Sequence, residues 1–312
     1  MVLSGGVGGA RFAWGLARLL PPEDLTIIVN VGDDFRHFGL YICPDLDIVC
    51  YTLADMEHPE QGWGLADDTW HAMAMVERLH GPTWFRLGDG DLGTHLERTR
   101  RLEQGHSLSA ITEDFCRAWG IPHRILPVTN DPVRTVVLTR EYGPLPFQEY
   151  FVKYRTQPTV RGFRFEGAEQ AYPAPGVIPA IHEALVVIIA PSNPWVSIDP
   201  ILAVPGIREA LAGKPVVAVS PIIGGETVKG PAAKMYREMG IEPSALAVAR
   251  HYRDLLTGFV VDRQDAALAP VIQQELGIPV LITDTWMQPK PKRAQVARSV
   301  WEFAHALART YP

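Results

Sequence analysis

Short apolar runs alternate with helical periodicity along most of this chain. Met1–Leu3 is the stub of a first strand and Leu25–Val31 (LTIIVNV) is a second. Leu185–Ala190 (LVVIIA), Pro215–Ser220 (PVVAVS), Phe259–Asp262 (FVVD) and Pro279–Asp284 (PVLITD) read as further buried strands. Runs that are apolar on both faces belong to strands covered on both sides by helices. Helical stretches fall between them, near Ala10–Leu20, Pro205–Ala212, Pro231–Met239, Ala266–Leu276 and Lys292–Leu307. The alternation predicts an α/β fold with a mostly parallel sheet and helices on both faces.

The middle of the chain breaks this rhythm. Ala66–His80 is a helical pattern rich in Trp and Met, and Thr94–Gln104 reads as another helix. Ser107 suits the N-cap of a helix running to Trp119 and closed by Gly120. From Ile125 to Phe165 the pattern turns strand-like, through RTVVLTR, FQEYFVKY and VRGFRF. The expected organisation is a Rossmann-like nucleotide-binding core of residues 1–54 and 177–312, carrying a mixed α+β elaboration over 55–176 that shapes an acceptor site.

Composition narrows the class. Hydrophobic residues make up 47% and charged residues 21%, enough apolar surface for a folded core. The net charge of -6, without a basic run, lacks the footprint of a nucleic-acid binder. Cys43, Cys50 and Cys116 make an odd count with no CxxC pair, so neither a disulfide framework nor a structural zinc site is expected, and a reducing cytoplasm fits. No apolar run approaches the roughly 20 residues that cross a bilayer, and the N-terminus reads as a strand entering a glycine loop, unlike a signal peptide. The ten histidines form no HExxH or HxH set, and no GxSxG elbow occurs.

Polar residues gather where the apolar runs end: Ser4-Gly5-Gly6, Gly32-Asp33-Asp34, Pro191-Ser192-Asn193-Pro194, Ser220 through Gly225, and Asp284. Open α/β sheets bind ligands outside the carboxyl ends of their strands. Each loop taken singly is equally readable as a turn or a cap. SGGVGGAR, Ser4–Arg11, lies between a strand and a helix, where glycines let backbone N–H groups approach a phosphate. It is neither a Walker A loop nor GxGxxG, since Arg11 stands where a third glycine would be. Asp45 and Asp47 could hold a hard cation such as Mg²⁺, or one of them could cap a helix beginning near Ile48. Arg86-Leu87-Gly88-Asp89-Gly90-Asp91 offers a further charged loop, readable also as a Gly-Asp turn. Trp63, Trp70 and Trp84 could stack on a flat ring or fill a core.

In order and spacing, SGGVGGAR, NVGDD, CPDLD, LGDGD, ILPVTNDP, VRG, PSNP, AVSPIIGG and GPAAK resemble the 2-phospho-L-lactate transferase family of coenzyme F-420 biosynthesis, from Ser4 to about Trp286. EQGWGLADDTW and PTWFRLGDGD look more like its bacterial phosphoenolpyruvate branch. The resemblance implies a Mg²⁺-assisted transferase. It would join a guanosine-diphosphate-linked three-carbon acid to the 5-deazaflavin Fo and release GMP. By motif, Asp47 and Arg86 would contact Fo. Ser4, Gly5, Gly6, Gly8, Gly9, Ser192, Asn193, Ser220, Ile223 and Gly224 would surround the guanosine diphosphate portion. Asp45 and Asp47 would share the metal and the acceptor hydroxyl. Partners are then small molecules, with no nucleic acid and no membrane, and a homodimer stays open. Gly90 departs from the family's usual Arg, and the first strand starts almost at Met1, which leaves room for a start codon upstream. Competing readings are a gluconeogenesis-factor-like protein binding a nucleotide-sugar and a generic Rossmann oxidoreductase. PDLD and PSNP disfavour the first, and the failed GxGxxG disfavours the second.

Overall fold

Seven strands pair in parallel into one sheet: β1 (Val2–Ser4), β2 (Thr26–Val29), β3 (Arg124–Pro127), β4 (Val187–Ile189), β5 (Val216–Val219), β6 (Gly258–Asp262) and β7 (Val280–Thr283). The computed structural model describes residues 1–311. Across the sheet the order is β7-β6-β5-β4-β1-β2-β3. The chain therefore winds outward from β1 in one direction and from β4 in the other. The crevice between the carboxyl ends of these two neighbours is the topological switch point. Ile27, Ile28, Val187, Val216, Val217, Phe259 and Val260 are fully buried, as the doubly apolar runs require. The last run is the exception: β7 is an edge strand with Ile282 45% exposed, because only β6 pairs with it.

Several expected boundaries move. The first helix, α1 (Gly6–Ala17), begins inside the glycine segment, ahead of Ala10. The second, α2 (Pro44–Leu53), starts before Ile48 with Cys43 at its N-cap and Pro44 in its first turn. Neither Asp45 nor Asp47 caps it; both sit in the first turn, where the helix dipole favours negative charge. The long Trp-rich helix shrinks to α3 (His71–Arg78), and the next, α4 (Asp89–Glu103), starts well before Thr94.

One exchange explains both changes. Asp68 accepts from the Gly90 and Asp91 N–H groups (2.7 and 3.1 Å), capping α4 from outside. Asp89 accepts from the His71 and Ala72 N–H groups (both 2.9 Å), capping α3 in return. The Asp89–Asp91 stretch is thus a helix start and not a free Gly-Asp turn.

Residues Arg134–Thr139, Gly143–Pro146 and Val160–Glu166 form a three-stranded antiparallel sheet, as expected of RTVVLTR and VRGFRF. FQEYFVKY is not a strand; it is a π-helical turn over Glu149–Lys153. Its aromatic residues recur at helical spacing, with Phe147 and Phe151 stacked 5.4 Å apart. The edge strand β3 comes from within 55–176 yet joins the core sheet. Cys43, Cys50 and Cys116 are free and buried. No helix among the described residues is long and apolar enough to cross a membrane.

Candidate active site

A cavity of about 490 Å³ opens at the switch point, with the first turns of α1 and α2 facing it. Gly5, Gly6, Gly8, Asp45, Asp47, Arg86, Ser192, Asn193, Ser220 and Ile223 all line it. Ser4, Gly9 and Gly224 are outside the lining, the first two buried and Gly224 exposed. Ser4 is fully buried, and the Gly224 N–H donates to Asp265.

The glycine segment is shaped by packing. A Cβ on Gly8 would stand 2.4 Å from the Pro191 carbonyl oxygen, so only glycine lets α1 start against the PSNP loop. Ser192 Oγ donates to the Gly5 carbonyl at 2.8 Å, and Asn193 Oδ1 accepts from the Trp195 N–H at 3.1 Å. Ser220 Oγ donates to the Ile222 carbonyl at 2.8 Å. These three polar side chains hold their loops in shape at the cavity wall.

Against the glycine segment stands an acidic wall. Asp45 accepts from the Gly6 N–H (2.8 Å) and from Asn30 Nδ2 (2.9 Å). Burial still pushes its carboxyl up to about 6, against those two bonds. Asp33 lines the same wall, with one carboxylate oxygen buried and unpartnered. Burial first, then the charges of Asp45 and Asp34, drive the Asp33 carboxyl well above the usual range. Asp34, just behind, is raised chiefly by burial as well.

Asp47 has a different environment. Arg98 of α4 grips both its oxygens, Nη1 to Oδ2 at 3.1 Å and Nη2 to Oδ1, with both side chains buried. His95 Nδ1 lies 3.2 Å from Arg98 Nη1, and His95 Nε2 lies 3.3 Å from Asp91 Oδ2. Burial would raise the Asp91 carboxyl, but His95, Tyr51 and Arg98 outweigh it and hold it below its usual range. Asp47, Asp91 and His95 bring ligand-type atoms within 4.8 Å of one another. Asp45 is outside that group, so the expected Asp45–Asp47 pair divides: Asp45 belongs with Asp33, and Asp47 with Arg98.

The rim is aromatic. Trp63 and Trp286, 48% and 41% exposed, line the cavity together with Phe85 and Phe151. Trp70 instead carries the Arg86 guanidinium 4.5 Å above its ring, and Trp84 packs on Phe35 and His37. Of the three tryptophans, only Trp63 is placed to meet a flat ligand. Lys234 of GPAAK pairs with Glu238 and donates to the Pro158 carbonyl, outside the cavity lining. In the sequence Asp33 stood out only as part of a strand-end loop, and Arg98, His95, Arg11 and Lys229 carried no assigned role, though all five are at or against the cavity. For the first, a charged pair directly after a buried strand was the available signal.

A family model described as 2-phospho-L-lactate transferase CofD matches residues 1–284. A phosphoenolpyruvate transferase of Streptomyces griseus is 45% identical over 97% of this chain and 98% of its own length. That of Streptomyces coelicolor is 47% identical over 97% of both chains. Among solved structures, a UPF0052 family protein of Bacillus halodurans superposes with a TM-score of 0.63 at 16% identity, covering 96% of this chain and 98% of that one, which shows a shared fold. With a match this extensive in both family model and relatives, the chain belongs to the 2-phospho-L-lactate transferase (CofD) family.

Proposed function

We propose that this transferase moves a phosphoenolpyruvate moiety from a guanosine-diphosphate-linked donor to the 5-deazaflavin Fo, giving dehydro coenzyme F-420-0 and GMP. The names of the relatives favour phosphoenolpyruvate over 2-phospho-L-lactate as the moiety moved. One observation carries the reading: a single cavity joins a buried acidic wall, a basic corner and an aromatic rim. That combination suits a phosphorylated donor, a metal and a flat acceptor together.

Asp33 and Asp45 fit Mg²⁺, a hard cation that takes oxygen ligands, and the unpartnered Asp33 oxygen is the reason. When bound, the ion would neutralise charge gathering on the phosphoryl oxygens. The terminal ribityl hydroxyl of Fo attacks the phosphorus bearing the three-carbon acid. A new P–O bond forms, the bond to the bridging oxygen breaks, and its electron pair leaves with GMP. The hydroxyl proton passes to Asp47, whose orientation Arg98 fixes and whose oxygens keep lone pairs beyond those the guanidinium uses. Such transfers rest on positioning more than on strong bases. Trp63, Phe85 and Phe151 offer the surface on which the deazaflavin lies, with Arg86 beside it.

The test is turnover of the purified protein with Fo, the enolpyruvyl-diphospho-guanosine donor and Mg²⁺, read by mass spectrometry. Dehydro coenzyme F-420-0 and GMP in equal amounts are expected. A folded protein that binds donor and Fo yet forms neither product would overturn the reading.

A further inference from the structure

Arg11 and Lys229 both line the cavity. Arg11 stands on the second turn of α1 and is 5% exposed. A Cβ built on Gly62 would lie 3.0 Å from Arg11 Nη2 and 3.2 Å from Lys229 Nζ, so the two cationic groups converge on one small space. Their hydrogen-bond acceptors are neutral. Lys229 donates to the carbonyls of Glu60 (3.2 Å) and Gln61 (2.8 Å). Swapping the oxygen and nitrogen of the Gln288 amide, which satisfies both atoms, lets that oxygen accept from Arg11 at 2.7 and 3.2 Å.

Among the carboxylates, Glu57 pairs with Arg293 through Oε1 at 2.8 Å while its Oε2 stays unpartnered, and Asp55 pairs with Arg18 and Lys290. Among the described residues, neither Arg11 nor Lys229 makes an ion pair. Burial, then the charge of Arg293, lowers the Arg11 pKa against Glu57, and burial, then Arg11, lowers that of Lys229. Two cations without an ion-pair partner, with Val7 and Gly8 of the α1 N-terminus on the same lining, make a corner suited to an anion.

We propose that Arg11 and Lys229 clamp an oxyanion of the donor, a phosphate or its carboxylate, an assignment that rests on the function proposed above. The guanidinium fork sets the orientation of the oxyanion, and the ammonium adds a compact charge. Since Lys229 also holds the Glu60 and Gln61 carbonyls, the clamp adjoins the loop that carries Trp63.

Calorimetric titration of wild type, Arg11→Met, Lys229→Met and Lys229→Arg with inorganic pyrophosphate, GDP and phosphoenolpyruvate tests this. Pyrophosphate should bind wild type, weaken tenfold or more in either Met variant, and recover in Lys229→Arg. A matching loss for GDP identifies the phosphate as the occupant. A loss for phosphoenolpyruvate with both GDP and pyrophosphate unchanged identifies the carboxylate instead. Wild type binding none of the three, or Lys229→Met binding all as wild type does, overturns the clamp. Lys229 is exposed, so that variant decides the matter even if Arg11→Met fails to fold. A clamp that behaves as expected in a protein without transfer activity would refute the proposed function and leave the clamp standing.

Discussion

Removing the Asp47 carboxylate should damage the fold before it reports on catalysis. Arg98 is buried, and Asp47 is the one carboxylate it grips; its other contacts are His95 Nδ1 at 3.2 Å and the Tyr41 carbonyl at a long 3.4 Å. Burial opposes the Arg98 charge, and Asp47 is the chief neighbour that keeps it a cation. Breaking one side of such a buried pair leaves the other charge uncompensated, at a cost of about 3–5 kcal/mol. A chain of this length loses roughly 2 °C of melting temperature per kcal/mol, so Asp47→Asn should melt roughly 6–10 °C below wild type. Arg98→Met should fall comparably. The double variant Asp47→Leu/Arg98→Met should recover much of the loss, because well-packed apolar substitutes for a buried pair are often neutral.

The assay is thermal denaturation by circular dichroism near neutral pH of wild type, Asp47→Asn, and a double-mutant cycle built from Asp47→Leu, Arg98→Met and their combination. Both single variants melting within about 2 °C of wild type, or strict additivity in the double, would refute the argument. Should it hold, a low kcat in Asp47→Asn reports on a displaced Arg98 as well as on loss of the proton acceptor proposed above. Rates would then need to be compared with those of Arg98→Met.

Three further outcomes are expected. The Asp45 carboxyl sits near 6 when folded against a usual 3.8, so the native state binds more protons between those values and stability falls as pH rises through the window, by up to about 3 kcal/mol. Asp45→Asn should flatten that slope and Mg²⁺ should offset it near neutrality; melting temperatures indifferent to both would contradict the burial argument. Gly8→Ala should cost about 1–3 kcal/mol in urea unfolding, because its Cβ meets the Pro191 backbone oxygen, and an unchanged midpoint would mean the loop yields freely. Arg86→Ala should raise the KM for Fo with little change in kcat, since the exposed guanidinium, stacked on Trp70, can donate and attract but cannot take a proton; a fall in kcat at unchanged KM would assign it to the transition state.

The parallel core was legible because burial on both faces leaves continuous apolar runs, as in LVVIIA and PVVAVS. What escaped was set by contacts distant in sequence. Strand β3 was strand-like from Ile125 but short, with an exposed Arg124 and a closing Pro127, and nothing local assigned it to the core sheet, where β2 pairs with it. The true lengths of α3 and α4 depend on Asp68 and Asp89 capping each other's helix, an exchange with no local signature. FQEYFVKY has a helical spacing of aromatics that its high strand propensity masked.

The site divides in the same way. The strand-end loops were readable because glycines, prolines and small polar residues punctuate apolar runs, and the fold gathers most of them at one cavity. Arg98 was hidden in LERTRRLE, where Arg100 and Arg101 pair with Glu97 near the surface and disguise the one arginine that turns inward. Asp91, His95 and Arg98 do recur at helical spacing, and that face was the available signal.

The loop hydroxyls bear on the anion question differently. Ser192 and Ser220 donate to backbone carbonyls within their own surroundings, so their hydroxyl protons are engaged in holding the walls. Backbone amides at the start of α1 remain as donors, but Gly6 N–H already serves Asp45. Recognition of a charged donor then falls more heavily on side chains than a glycine-rich motif suggests. Arg11, the residue that spoiled the dinucleotide fingerprint, lines the cavity and is one half of the clamp proposed to supply it.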